Sequence, residues 1–186
     1  MKRLLTLLVI PAVSLFMASS GLAQSFPVVS GTMEFQFGLT GMALPENSGG
    51  GSLSAQPELR VGRFVAEGVE LQLVGDARVW PLGVTAPSSY GVSANLLWFP
   101  NLGPTSRNLY LLVGGGGALV DPPSAAVGSS FDPLGRVGVG VKVPLSELSV
   151  SWTKSLFFTV EFREEYVAAD ESDYLSGISF SVSQFR

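Results

Sequence analysis

The chain has 186 residues, and its composition excludes several classes of protein. It contains no cysteine and no histidine, so it has no disulfide framework, no cysteine nucleophile and no imidazole base. Charged residues make up 14% of the chain, against about 25% in ordinary soluble domains. Acidic residues outnumber basic ones by 15 to 11, which disfavours nucleic-acid binding.

The first residues have the pattern of a secretory signal peptide. Two basic residues follow the initiator methionine, and residues 4–18 are largely apolar. Gly21 and Ala23 have the small-residue spacing that signal peptidase recognises. A membrane-anchoring helix needs about 20 apolar residues, and this stretch is shorter and contains proline. We therefore expect residues 1–23 to be a cleaved signal peptide and residues 24–186 to form one domain.

Polar and apolar residues alternate through most of the remaining chain, which is the period of a β-strand with two different faces. In residues 137–143 every odd position is valine and every even position is glycine or lysine. Most of the segments have about the 9–11 residues that a tilted strand needs to cross a bilayer. The alternation predicts eight strands, at approximately 31–40, 57–65, 69–80, 89–99, 108–120, 133–144, 155–167 and 174–185.

The connections between the predicted strands alternate in length. The shortest, residues 66–68, joins strands two and three. Short turns on the periplasmic side and long loops on the outer side are typical of outer-membrane barrels. Residues 101–107 and 146–154 are long for turns. In the second segment, apolar residues fall on even-numbered positions, as they do at the start of strand seven, which leaves open an earlier start of that strand. The long connections are 41–56, 81–88, 121–132 and 168–173.

Alternation alone fits both a membrane barrel and a soluble ligand-binding barrel. The polar face here consists mostly of small uncharged residues, which suit a narrow lumen better than a water-facing exterior. A sheet in a membrane must also close, because an open edge would leave backbone groups unpaired. Large aromatic residues near the predicted strand ends indicate girdles at the two membrane interfaces; they are Trp80, Tyr90, Trp98, Phe99, Trp152 and Tyr166. The sequence therefore predicts an all-β, eight-stranded antiparallel up-and-down transmembrane barrel.

Charged residues within the strands fall mainly on the face predicted to point inward. Isolated charges in a narrow lumen are costly, whereas opposite charges can pair. We therefore predict a salt-bridge network that fills the barrel; the alternative is a gated path for ions. The six acids and five bases are Glu34, Glu58, Glu70, Asp76, Glu161 and Glu165, with Arg60, Arg78, Arg136, Lys142 and Arg163.

Two segments carry a resemblance to a known family. Residues 63–71 (Arg-Phe-Val-Ala-Glu-Gly-Val-Glu-Leu) look like the second hairpin of small OmpA/OmpX-type outer-membrane β-barrels, in which a strand ends in an aromatic residue and turns tightly. Near the C-terminus, a glycine followed by spaced bulky residues is similar to the insertion signal read by the barrel assembly machinery. The residues of this signal are Gly177, Phe180, Val182 and Phe185. The resemblance implies a porin-like barrel in the outer membrane of a Gram-negative cell envelope.

No catalytic, cofactor-binding or metal-binding set stands out in the sequence. Known outer-membrane barrel enzymes use a nucleophile activated by histidine, and this chain has none. The acidic group between residues 161 and 173 matches no ligand loop. The glycine-rich stretches 114–117 and 135–140 lie inside strands, where glycine marks close backbone approach or room for a large neighbour.

The sequence thus favours a non-enzymatic outer-membrane barrel with a structural or surface-interacting role. A small pore for ions or small solutes is the first alternative, and a soluble periplasmic ligand-binding barrel is the second. The expected partners are membrane lipid and the assembly machinery, with no cofactor and no nucleic acid; the sequence does not identify a surface ligand. The long loops contain no lysine or arginine, which predicts a negative outer tip. Their acids are Glu46, Asp121, Asp132, Asp170, Glu171 and Asp173.

Overall fold

The computed structural model describes residues 30–43, 53–79, 88–100, 108–121, 129–145, 156–168 and 173–186. The predicted signal peptide, Trp80 and Trp152 lie outside the described residues, as do residues 101–107 and 146–154. The strands are β1 (Met33–Ala43), β2 (Leu53–Ala66), β3 (Val69–Arg78), β4 (Ser88–Trp98), β5 (Leu109–Asp121), β6 (Ser130–Pro144), β7 (Leu156–Val167) and β8 (Asp173–Phe185). In the described part of the chain, no helix is long and apolar enough to cross a membrane.

The eight strands form one closed antiparallel barrel in which each strand pairs with the next in the sequence. β1 also pairs with β8, with a register that runs from Glu34 opposite Phe185 to Ala43 opposite Ser176. Closure gives the backbone groups of the first and last strands partners in the sheet, as a sheet in hydrocarbon requires. The predicted fold class is confirmed.

The turn between β2 and β3 needs a glycine. Gly68 has a φ angle of 71°, which is in the left-handed region. A Cβ at this position would also lie 2.9 Å from the carbonyl oxygen of Phe99. This distance is too short for a carbon and an oxygen atom, so the backbone would have to move. A register shift between Phe64 and Ala66 accompanies the turn. The tight hairpin predicted at residues 66–68 is therefore present.

The two faces of the sheet have opposite polarity. Outward side chains are apolar and exposed, for example Phe37 at 66% and Leu73 at 60%. Inward side chains include charged groups with no exposure at all, for example Arg60 and Lys142. This arrangement is the reverse of a soluble ligand-binding barrel, in which the apolar face lines the interior and the exterior faces water.

Several details differ from the sequence prediction. Several strands extend into predicted loops. β1 runs to Ala43 and β2 begins at Leu53, both within the predicted loop 41–56, and β8 begins at Asp173, the last residue of the predicted loop 168–173.

Asp121 and Asp132 were expected in a loop, but β5 and β6 extend further and include both residues. The ladder continues because Val120 still pairs with Ser130. Phe99 was expected in an aromatic girdle, but it is only 6% exposed and lies among inward apolar side chains. The girdle assignment is therefore wrong for Phe99, which follows Trp98 and so falls on the opposite face.

Candidate functional site in the barrel lumen

The lumen contains all eleven charged side chains that alternation assigns to the inward face. Ten of these residues are buried, and the side chain of Asp76 is only 3% exposed although the residue as a whole is half-buried. They come from β1, β2, β3, β6 and β7, whereas β4 and β5 supply small or uncharged side chains to the interior.

Arg60 of β2 is at the centre of the network. Its guanidinium donates two hydrogen bonds to the carboxylate of Glu161, at 2.9 and 2.8 Å, and one to Glu58 at 3.0 Å. Glu58 also accepts hydrogen bonds from the hydroxyls of Thr40 and Ser179, both at 2.7 Å. The paired, two-point contact with Glu161 fixes the orientation of both groups across the barrel.

We call the end of the barrel with the long connections the loop end and the opposite end the turn end. Arg163 of β7 joins the centre of the network to the part at the loop end. It donates to Glu58 at 2.6 Å, and its Nε lies 3.0 Å from an oxygen of Glu165. Arg163 also lies 3.6 Å from Glu161. The phenol of Tyr110 donates to Glu161 at 2.6 Å, so this carboxylate is held by partners from three strands.

At the loop end, two arginines share two acids. Arg136 pairs with Asp76, and its Nε lies 3.0 Å from Glu165. Arg78 pairs with the other oxygen of Glu165 at 2.7 Å. Gln56 donates to Asp76 at 2.7 Å. Asp76 therefore accepts hydrogen bonds from two donors, whereas Glu165 accepts one from Arg78 and lies at ion-pair distance from Arg136.

At the turn end, one lysine serves two carboxylates. Lys142 of β6 pairs with Glu34 and, at 3.1 Å, with Glu70. The amide of Gln72 donates to the same two carboxylates, at 3.2 and 3.0 Å. The charged side chains of this group are 0% exposed, so no space the size of a water molecule touches them.

A cluster of mainly aromatic side chains, the aromatic cap, lies next to Lys142 on the side of the turn end of the barrel. The rings of Phe157 and Phe185 meet edge to face at a centroid distance of 4.7 Å. The lysine nitrogen lies 5.4 Å from the ring centroid of Phe185 and 5.5 Å from that of Phe99, within the range of a cation–π contact. The members of this aromatic cap are Phe64, Leu97, Phe99, Tyr110, Leu112, Phe157 and Phe185.

The sequence did not predict the aromatic cap as a cluster, although alternation can assign each of its residues to the inward face. The inward positions at the loop end are also apolar and buried. Met42 is 0% exposed and Leu175 is 1% exposed, and Ala118, Leu134 and Val167 accompany them. The charged network therefore lies between two apolar layers.

Glycines beside large neighbours give the lumen room for its contents. A Cβ added at Gly140 would lie 2.3 Å from the ring and hydroxyl of Tyr110. A Cβ at Gly138 would lie 2.8 Å from a backbone oxygen of Phe162 and 3.0 Å from the Cβ of Arg163. The stretch 135–140 thus provides close approach and space, as its position inside a strand suggested.

These contacts describe a plug. The inward positions around Lys142, from Glu34 and Gln36 on β1 to Ser183 on β8, are all buried. Buried charges with well-placed partners are stable, whereas one partner alone would be left uncompensated. Within the described ranges, no group of histidine, cysteine, aspartate or glutamate is arranged to hold a metal ion.

The residues of the predicted C-terminal insertion signal lie on both faces of β8. Phe180 and Val182 point outward and are 52% and 44% exposed. Gly177 faces inward, where a Cβ would lie 2.1 Å from the sulfur of Met42. Phe185 is also inward and belongs to the aromatic cap.

No family model matches the sequence, and no curated protein matches it significantly. Solved structures do match. Neisserial surface protein A is 12% identical, with a TM-score of 0.59 over 83% of this chain and 99% of that chain. Ail, the attachment invasion locus protein of Yersinia pestis, is 12% identical, with a TM-score of 0.52 over 85% of this chain and 100% of that one. The chain has the fold of the small eight-stranded outer-membrane β-barrels.

Proposed function

We propose that the protein is an integral outer-membrane barrel with a sealed lumen, and that it acts through its outer surface in a structural or surface-interacting role. The observation that carries this proposal is the layer of Lys142, Glu34 and Glu70 above the aromatic cap. All inward residues of that layer are buried, so the interior holds the barrel together and is not a route through it.

The exterior supports a membrane location. Its strand positions are dominated by exposed apolar side chains such as Phe35, Leu59 and Val92, and a contiguous apolar exterior marks a membrane or interaction surface. Two of the structures with this fold are named as a surface protein and as an attachment invasion locus protein. A role at the cell surface is the function that these likenesses favour.

The lumen offers little for catalysis. Its acids accept hydrogen bonds from arginine, lysine or glutamine side chains, and most of them are fully buried. A substrate would have to displace these partners to reach them. The absence of histidine from the chain removes the usual activation of a serine. A non-enzymatic role is therefore the better account of these residues.

Insertion would depend on the barrel assembly machinery. We expect Phe180 and Val182 to be its contacts, because they are the outward members of the C-terminal signal. Phe185 would instead act after insertion, since it packs inside the barrel.

Cell fractionation tests the proposal. The mature protein should appear in the outer-membrane fraction and require detergent for extraction. On a gel, the unheated sample should migrate differently from the boiled sample, because the closed barrel resists the detergent until heated. Recovery of the mature chain from the soluble periplasm without detergent would contradict the proposal.

A further inference from the structure

The outward face of β7 carries a carboxylate in an unusual place. Glu164 and Tyr166 occupy the last two outward positions of this strand, and Glu164 is exposed. In the described strands, the other outward charged residues are Arg63, near the turn end of β2, and Asp121, the last residue of β5. Glu164 is thus the one that lies between an apolar residue, Phe162, and a tyrosine along its own strand.

Glu164 has no cationic partner within the described strands and turns, because no lysine or arginine there forms an ion pair with it. Arg136 and Arg163 on the neighbouring positions point into the lumen and pair with acids there. The four long loops, which begin at this end of the barrel, contain no lysine or arginine. An outward carboxylate in a membrane-facing strand is costly without a partner, and such residues usually mark a functional site.

Two tyrosines lie beside this carboxylate. Tyr166 pairs across the sheet with Tyr174, and Glu164 pairs with Ser176. The two rings are 4.8 Å apart at an interplanar angle of 43°, and Tyr174 is 67% exposed. We call these four residues the Glu164 patch: Glu164, Tyr166, Tyr174 and Ser176.

The surroundings of the patch suit a lipid. On the β6 side, a Cβ added at Gly135 would meet nothing within 4 Å, so the surface is open beside Tyr166. Toward the middle of the barrel, the outward residues of β7 and β8 are apolar, among them Phe162, Ile178 and Phe180. Acyl chains could lie along these side chains while a headgroup occupies the patch.

We propose that the Glu164 patch binds the headgroup of a membrane lipid that carries an ammonium group. The carboxylate pairs with the ammonium, and the tyrosine rings attract the same cation through their faces. A second copy of the chain is a poorer occupant, because the described strands present no outward cation at this end. The proposal rests on the membrane location proposed above.

Native mass spectrometry of the folded, detergent-solubilised protein tests this proposal. The protein is mixed with phosphatidylethanolamine or with phosphatidylglycerol of identical acyl chains. We expect the protein to retain phosphatidylethanolamine about fivefold more than phosphatidylglycerol, because the ammonium group gains a contact with the carboxylate and a cation–π contact. Glu164→Gln should abolish the preference. Glu67→Gln removes another exposed carboxylate, from the β2–β3 turn, and should leave the preference unchanged.

Equal retention of the two lipids by the wild type would overturn the proposal, and so would an unchanged preference in Glu164→Gln. If Glu164→Gln does not give a folded barrel, Tyr174→Leu decides, because its exposed ring can be removed without opening the core; it should reduce the preference about threefold. The measurement uses folded protein in detergent. A negative result for lipid binding would therefore not contradict the proposed outer-membrane location. A negative fractionation result would contradict both the membrane location and the lipid-binding proposal.

Discussion

At the scale of single residues, the barrel depends on charges that water does not reach. Arg60, Glu58 and Glu161 all have side chains that are 0% exposed. Removing one member of such a set costs more than the pair itself contributes, because the remaining charge stays buried and uncompensated. The interior is therefore sensitive to changes of one charge and more tolerant of changes that remove two opposite charges together.

Arg60→Met should destabilise the folded barrel by about 3–5 kcal/mol, because the carboxylates of Glu161 and Glu58 lose their shared donor. Arg63→Met changes an exposed arginine of the same strand and should change the stability by less than about 0.5 kcal/mol. Urea unfolding in lipid vesicles, followed by tryptophan fluorescence, measures both. Equal stability of the two variants would contradict the network.

The double variant Arg60→Met with Glu161→Leu provides a second check on the same pair. It removes two opposite charges together, so it should be more stable than Arg60→Met alone. A double variant no more stable than Arg60→Met alone would show that the two charges do not compensate each other.

Gly140→Ala should destabilise the barrel by about 1–3 kcal/mol, since overpacking forces neighbouring groups to move. The new methyl group would lie 2.3 Å from Tyr110, which holds Glu161 by a hydrogen bond. Gly135→Ala in the same strand adds a methyl group with nothing within 4 Å, and it should be nearly neutral. The same unfolding assay compares the two, and similar losses would refute the steric explanation.

At the scale of the elements, β8 divides its aromatic residues between two tasks. Phe185 packs against Phe157 and Phe64 inside the barrel, at centroid distances of 4.7 and 6.1 Å. Phe180 faces outward beside Phe158. The two phenylalanines should therefore respond differently to truncation.

Phe185→Ala should cost about 3–5 kcal/mol of stability, because it leaves a cavity in the aromatic cap. Phe37→Ala truncates an outward phenylalanine that is 66% exposed and should cost much less. Unfolding midpoints in vesicles measure the difference. If Phe185→Ala proved as stable as Phe37→Ala, the inward position of Phe185 would be wrong.

Phe180→Ala with Val182→Ala should lower the fraction of protein assembled in cells, if these outward residues form the insertion signal. Phe35→Ala with Phe37→Ala removes comparable outward side chains from β1 and should not. Heat-modifiable mobility of freshly synthesised protein measures assembly. Equal assembled fractions would remove Phe180 and Val182 from the signal.

The elements themselves were predictable because strict alternation identifies a strand and its two faces. The same alternation gives the inward side of Lys142 and Arg163. It does not give their partners, because the stagger of the strands around a barrel depends on closure and not on any local pattern. The aromatic cap was missed for this reason: Phe64 and Phe185 belong to strands far apart in the sequence and meet only when the sheet closes.

At the scale of the whole molecule, charge is distributed unevenly along the barrel. In the interior, acidic residues are paired with basic ones, whereas all charged residues of the predicted long loops are acidic. Asp121 and Asp132 bring part of this charge onto the ends of β5 and β6. The loop end should repel polyanions and favour basic surfaces or divalent cations.

Replacing the half-buried Asp121 and Asp132 with Asn should reduce the retention of the folded protein on an anion-exchange column and weaken its dependence on salt. Interactions between surface charges are largely screened beyond about 10 Å at 0.1 M ionic strength. Asp76→Asn removes a buried, paired carboxylate and serves as the control. It should leave retention unchanged and lower stability instead. Equal shifts in retention would indicate that the lumen is open to solvent.

The sealed lumen is tested most directly by single-channel recording in planar bilayers. The wild-type barrel should show no stable, reproducible conductance, because the charged side chains of the Lys142 layer are 0% exposed and the aromatic cap packs beneath them. Lys142→Ala with Phe185→Ala should then produce openings in the same apparatus. Stable wild-type channels of large conductance would contradict the sealed lumen and establish the protein as a pore.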